Sequence, residues 1–267
     1  ILPRYKNSTL GIDERVEDLL GRMTIEEKVG QMVQFVGINH LKRSEKFLSI
    51  EELKKSDASG FYPSLHSSQI PDAIKSGLVG SFLHVLDVEE ANTLQKHAQE
   101  SRLGIPLIIG IDAIHGNAMV RGTTVYPAPL AMASSWNIDL VEKASIQTAI
   151  EMRATGSHWT FAPNIDLARD PRWGRVGETF GEDTHLVGEM GVAMIQGLQQ
   201  GDFTSKNTVV ANAKHWAAGG EPLTGINLSP MDVSMRTLYE DFFPPFERAI
   251  EAGVFTFMAA HNEINGE

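Results

Sequence analysis

No cysteine occurs among the 267 residues. Disulfides, thiolate catalysis and cysteine metal sites are therefore excluded, while the redox compartment stays open. Basic residues are also scarce: 23 Lys and Arg stand against 34 Asp and Glu, for a formal net charge of -11. That balance argues against a nucleic-acid binder, which would show a basic face or stripe. It serves solubility first, and after that a neutral or cationic small ligand. No apolar run is long enough to span a membrane. No secretory signal is visible, but the sequence starts at Ile1 rather than Met, which is compatible with a segment having been removed. The expected location is periplasmic or extracellular. There is no GxxxxGK[ST], no GxGxxG after a strand and no HExxH, so nucleotide enzymes and that zinc signature are not indicated.

What is present is 42% hydrophobic residues, enough for one sizeable core and close in size to a single α/β barrel. Apolar strand-like runs alternate with amphipathic helix patterns, the signature of βα units and a parallel sheet. Strands are expected over 32–37, 79–85, 106–111, 158–163, 209–215 and 254–260. Helices are expected over 13–22, 24–32, 87–103, 138–154, 182–200 and 235–252. Thr24 with Glu27 reads as a capping box, Asn137 and Ser234 as N-caps, and Pro244–Pro245 as a break. The polar stretch 38–78 reads as an insertion or loop excursion. Six strands are two short of an eight-stranded barrel, so the fold expected is an incomplete (β/α)8 barrel of one domain over 1–267, with an open sheet as the alternative.

In such a barrel the chemistry sits at the C-terminal ends of the strands. Those ends read Asp112–Gly116, the arginine-rich loop after 158–163, Lys214-His215-Trp216, and Met258 to Asn262. Arg169, Arg172 and Arg175 follow one another at three-residue spacing, with Glu178, Glu182 and Asp183 behind them. A carboxylate such as Asp112 after an apolar strand needs donors, which sugar hydroxyls or a cation supply. For Arg169, Arg172 and the acids the favoured reading is a network holding the loop. Lys214 and His215 point to opposite faces if the strand is extended, so one ligand is not expected to touch both without a twist in the chain. His115 reads as a supporting histidine. Trp136, Trp159 and Trp173 could stack on a sugar ring, although burial is the commoner outcome. A metal-dependent barrel hydrolase would use Lys214, His215 and His261 beside an aspartate, but the His-x-His pair it needs on the first strand is missing.

Taken together, GIDAIHG (110–116), TVYPAPLAMASSWN (124–137), APNIDLARDPRWGRVGETFGED (162–183), AKHWAAGGEPLTGIN (213–227) and FMAAHNEING (257–266) resemble family 3 of the glycoside hydrolases, the exo-acting β-glucosidases and β-xylosidases. The resemblance spans nearly the whole chain. It implies a barrel that holds the terminal non-reducing sugar through Asp112, Arg175, Lys214 and His215, with Met258 and His261 lining the same subsite. It implies a retaining β-glucosidase type of activity on β-linked oligosaccharides or glucosides, with no metal or organic cofactor and no nucleic-acid or membrane partner. Two departures stand out. Many members have tyrosine where His261 stands. The family nucleophile, an aspartate in a Ser-Asp-Trp-like motif on the next strand, has no counterpart in these residues, so it is expected beyond Glu267, as is the following α/β domain. The N-acetylglucosaminidase subgroup places a His-Asp dyad in the loop that here reads AAGGEPLTGIN, which has no histidine. A non-catalytic sugar-binding barrel is the remaining alternative.

Overall fold

In a computed structural model the chain is described over residues 2–55 and 65–267. It divides into two compact units, Ile1–Ile109 and Gly110–Glu267. Each follows the expected alternation of helices and parallel strands.

In the first unit, helix α1 (Ile12–Arg22) leads into α2 (Ile25–Gly30), which starts at the expected capping box. Glu27 N donates to Thr24 Oγ1 at 3.2 Å, and Thr24 N donates to Glu27 Oε2 at 2.9 Å. The same Glu27 carboxylate is bridged by Arg102. Strand β1 (Gln34–Val36) pairs in parallel with β2 (Ser81–Leu83), Phe35 standing opposite Phe82. The stretch expected to be a loop excursion instead holds helices α3 (Ile38–Ser44), α4 (Ile50–Lys55) and α5 (Ile70–Lys75). Ile38 and Leu41 on α3 and Ile70, Ala73 and Ile74 on α5 enter the core with Phe82 and Leu94. These helices are only six or seven residues long, too short for their apolar positions to build a clear period. The part of that excursion over 56–64 lies outside the described residues. Helix α6 (Val88–Gln99) is capped by Asp87, whose side chain accepts from Glu89 N and Glu90 N. Strand β3 (Ile108–Ile111) then crosses into the second unit.

The second unit carries α7 (Pro129–Ala133), α8 (Ile138–Ala154), β4 (Trp159–Thr160), α9 (Thr184–Gln199), β5 (Asn212–Trp216), α10 (Met235–Thr237), α11 (Pro244–Glu251) and β6 (Thr256–Ala259). Asn137 and Ser234 cap α8 and α10 as expected. The helix read over 235–252 is broken before Pro244, where α11 begins with proline in its first turn, a position that needs no N–H partner. Helix α9 packs on α8 closely enough that a Cβ on Gly197 would stand 2.4 Å from the Glu142 carbonyl oxygen, so only glycine fits there.

In the second unit consecutive strands are neighbours and run parallel. Gly110 and Ile111 of β3 pair with Trp159 and Thr160 of β4. Beyond Thr160 the chain stays extended beside β5: Asn212 N donates to Ala162 O at 2.9 Å, Lys214 N to Pro163 O at 3.1 Å, and Ile165 N to Lys214 O at 2.8 Å. Strand β5 pairs with β6, Lys214 opposite Met258. The strand ends after Ile111, Pro163, Lys214 and Met258 therefore lie side by side. That edge is where the sequence placed its charged residues.

Candidate functional site

The register sets Asp112 one residue beyond β3 and Lys214 within β5. Lys214 is only 2% exposed, and its Nζ donates to Asp112 Oδ1 at 2.7 Å. A buried ammonium must find a counter-charge, and Asp112 supplies it while keeping 28% of its own side chain exposed.

His215 is buried too, and here the strand departs from plain alternation. Strict alternation would turn Lys214 and His215 to opposite faces. Instead the pairing runs Lys214↔Met258 and then Trp216↔Ala259, so two residues of β5 stand against one of β6. Such a bulge breaks the alternation and re-aims a side chain. His215 Nδ1 lies 2.7 Å from Asp166 Oδ2, and its Nε2 lies 3.2 Å from Arg175 Nη1.

Arg175 is the hub of the cluster. Its Nε and Nη2 donate to the two carboxylate oxygens of Glu178 at 2.7 and 2.9 Å, a bidentate fork that fixes the guanidinium plane. Burial acts against the arginine's charge, but its bonds to Glu178 and the charges of Glu178, Asp166 and Asp112 outweigh it and raise its pKa. Burial likewise acts to raise the Glu178 carboxyl. The hydrogen bonds and charge of Arg175, together with the charge of Lys214, overcome this and hold it below its ordinary value. The site thus holds Lys214 on Asp112, Arg175 on Glu178 and His215, and His215 on Asp166, with Asp112 partly open to solvent.

The other two arginines act as the sequence suggested. Arg172 is 64% exposed at its side chain and forks onto neighbouring Asp170. Arg169 pairs with Asp241 at 2.9 Å and lies over the Phe242 ring. The loop is pinned from below by Gly220, whose carbonyl accepts from Arg169 N and Asp170 N. A Cβ on Gly220 would lie 1.9 Å from the Leu167 carbonyl oxygen. Trp173 is buried and donates to Asn227 Oδ1 at 2.8 Å, and Trp159 donates to Thr256 Oγ1 at 2.8 Å. Both are structural, whereas Trp136 is exposed. His115 is tied to the Tyr126 carbonyl by its ring nitrogen at 2.9 Å, the supporting part expected for it.

Met258 stands beside Lys214 in the register and is half-buried. His261 follows β6, is exposed, and makes no hydrogen bond to the cluster among the described residues. The geometry set out for a metal hydrolase does not assemble: Lys214 is bound to Asp112, His215 Nδ1 faces Asp166, and no three His, Asp or Glu side chains gather as a metal set among the described residues. Asp166 is the residue that sequence reasoning missed. Its signal was a lone carboxylate inside the apolar run Ile165-Asp166-Leu167-Ala168, every member of which is buried.

The profile of the Glycosyl hydrolase family 3 N terminal domain matches residues 24–267. The chain is 33% identical to a periplasmic beta-glucosidase of Salmonella typhimurium over 95% of its own length and 30% of that protein's. It is 44% identical to a beta-xylosidase of Formosa agariphila over 68% of its length and 26% of the relative's. It is similar to the crystal structure of a beta-glucosidase from Listeria innocua in complex with glucose, at 33% identity and a TM-score of 0.78, covering 95% of this chain and 33% of that one. A beta-glucosidase involved in saponin metabolism from intestinal bacteria aligns at 42% identity and a TM-score of 0.76, over 95% of this chain and 30% of the other. The chain spans about a third of the length of the curated relatives it matches. The parallel βα order, the motifs at the strand ends and these matches place the chain in glycosyl hydrolase family 3, as its N-terminal, TIM-like barrel domain.

Proposed function

We propose that this chain forms the glycone subsite of a retaining, exo-acting β-glycosidase of β-glucosidase type, which releases terminal non-reducing β-D-glucosyl residues. The observation that carries this reading is the pairing of opposite charges at one strand edge, with Asp112 still partly open. A carboxylate accepts from adjacent sugar hydroxyls, while Lys214 and Arg175 donate charge-assisted bonds in return. Arg175 has five N–H bonds and spends three on Glu178 and His215, so two remain for a ligand. Met258 and His261 border the same edge. Donors held this rigidly on hydroxyls stabilise the oxocarbenium-like transition state without rearranging.

Each carboxylate of the cluster is already committed: Asp112 to Lys214, Glu178 to Arg175 and Asp166 to His215. These three carboxylates are assigned to binding and support, and the nucleophile and the acid/base to residues beyond Glu267, as the family resemblance implies. In a retaining enzyme those two carboxyls stand about 5 Å apart, and no metal or organic cofactor is needed. The relatives named as periplasmic or lysosomal enzymes favour a location outside the cytoplasm, and no helix among the described residues is long and apolar enough to cross a membrane.

The test compares the full-length gene product with the isolated 267-residue chain on 4-nitrophenyl β-D-glucoside and β-D-xyloside. The full-length protein is expected to prefer the glucoside, and the isolated chain to release negligible nitrophenol. Turnover by the isolated chain would move the nucleophile back within residues 1–267.

A further inference from the structure

We propose that Asp166 is a positioning residue for Arg175, acting through the tautomer of His215. This rests on reading the cluster as a sugar subsite. The Asp166 side chain is fully buried. Its Oδ2 faces both His215 Nδ1, at 2.7 Å, and His215 N, at 3.3 Å. Its Oδ1 is buried and takes no hydrogen bond among the described residues. All the hydrogen bonding of this carboxylate is therefore spent on one histidine.

At the other edge of the imidazole stands Arg175, 3.2 Å from Nε2. A guanidinium can only donate. Nε2 must then present its lone pair, and the ring proton belongs on Nδ1, where the Asp166 carboxylate accepts it. The opposite tautomer would set N–H against N–H at Arg175 and lone pair against carboxylate at Asp166. Both ends of the ring select the same state. A buried carboxylate fixing the tautomer of a histidine that works on a third group is a known way to hold active-site geometry.

The consequence falls on Arg175. Glu178 grips one edge of the guanidinium, at Nε and Nη2, and His215 grips Nη1. With both grips in place, the remaining N–H bonds point in fixed directions. With the wrong tautomer, His215 repels Nη1 and the arginine turns away. The buried charge of Asp166 is in turn balanced by Arg175 across the imidazole.

Three readouts on the full-length gene product test this. First, solid-state ¹⁵N NMR of histidine-labelled wild type, with His215→Gln to assign the signal, is expected to show His215 protonated on Nδ1 and bare on Nε2. A proton on Nε2 overturns the proposal without any variant of Asp166 having to fold. Second, Asp166→Asn can donate to Nδ1 and so permit the other tautomer. It is expected to lower kcat/KM on 4-nitrophenyl β-D-glucoside at least about tenfold, and to raise the inhibition constant of glucose by a similar factor. Third, adding Asp166→Asn to His215→Gln is expected to change either quantity by less than about twofold, because Asp166 then has nothing left to act through. A full further loss in that background means Asp166 only supports the fold, and the proposal fails. If the full-length protein hydrolyses no β-glycoside, the proposed function fails, while the NMR measurement still decides the tautomer.

Discussion

Lys214 and Asp112, 102 residues apart in sequence, meet in an ion pair of 2.7 Å in which the lysine is almost fully buried and the aspartate is not. Replacing the buried ammonium removes its charge-assisted bond to Asp112, a loss of about 1–3 kcal/mol. Lys214→Met is therefore expected to lower the Tm of the full-length protein and to abolish measurable β-glucosidase activity. Asp112→Asn with Lys214→Met is expected to recover most of the stability and none of the activity. Calorimetry with a nitrophenol assay on both variants checks this.

Arg175 and Arg172 separate binding from scaffold. Arg175→Lys keeps the charge but loses the fork onto Glu178 and the bond to His215. A lysine cannot replace a bidentate guanidinium, so a loss of at least about 2 kcal/mol in kcat/KM is expected. Arg172→Lys touches the pair with Asp170 and a long bond to the Leu223 carbonyl, with the arginine itself largely in solvent, and a change within about 1 kcal/mol is expected. Comparable losses in the two variants would contradict the assignment.

Gly220→Ala tests the support under the arginine loop. The added methyl would lie 1.9 Å from the Leu167 carbonyl, and that backbone cannot yield without moving the loop. A destabilisation of about 1–3 kcal/mol is expected, together with weaker glucose inhibition, because Arg169 and Asp170 hang from the Gly220 carbonyl.

His158 gives the protein an acid-labile step. Burial first, and the charge of Arg153 second, lower its pKa from 6.5 to about 4. Between those values the unfolded chain binds more protons than the folded one, so stability rises with pH. The contribution is fully present above 6.5 and is lost as pH falls towards about 4, at most about 3 kcal/mol in all. Thermal unfolding of wild type and His158→Gln across this window checks it. The variant is expected to show the shallower decline, and parallel curves would assign the acid sensitivity to other groups.

The sequence by itself determined the alternation of helices and strands, the capping of α2 by Thr24 and Glu27, and the gathering of charge at strand ends. These are local properties: hydrophobic period, a cap three residues from its partner, a carboxylate directly after an apolar run. It was the family resemblance, not local spacing, that separated Arg175 from Arg169 and Arg172, since Arg175 too has an acid of its own loop, Glu178, beside it. Local reasoning failed within 38–78, where the short helices α3 and α5 bury two or three apolar residues each and show no period. Tertiary structure alone decided which distant side chains meet. Parallel pairing of β4, β5 and β6 brings Asp112, Asp166, Lys214 and Met258 to one edge. The bulge after Lys214 turns His215 out of the alternation that the sequence predicts and onto Asp166 and Arg175. A bulge leaves no trace in a period-two pattern, and a buried carboxylate shows its purpose only once its partner, 49 residues away, is seen beside it.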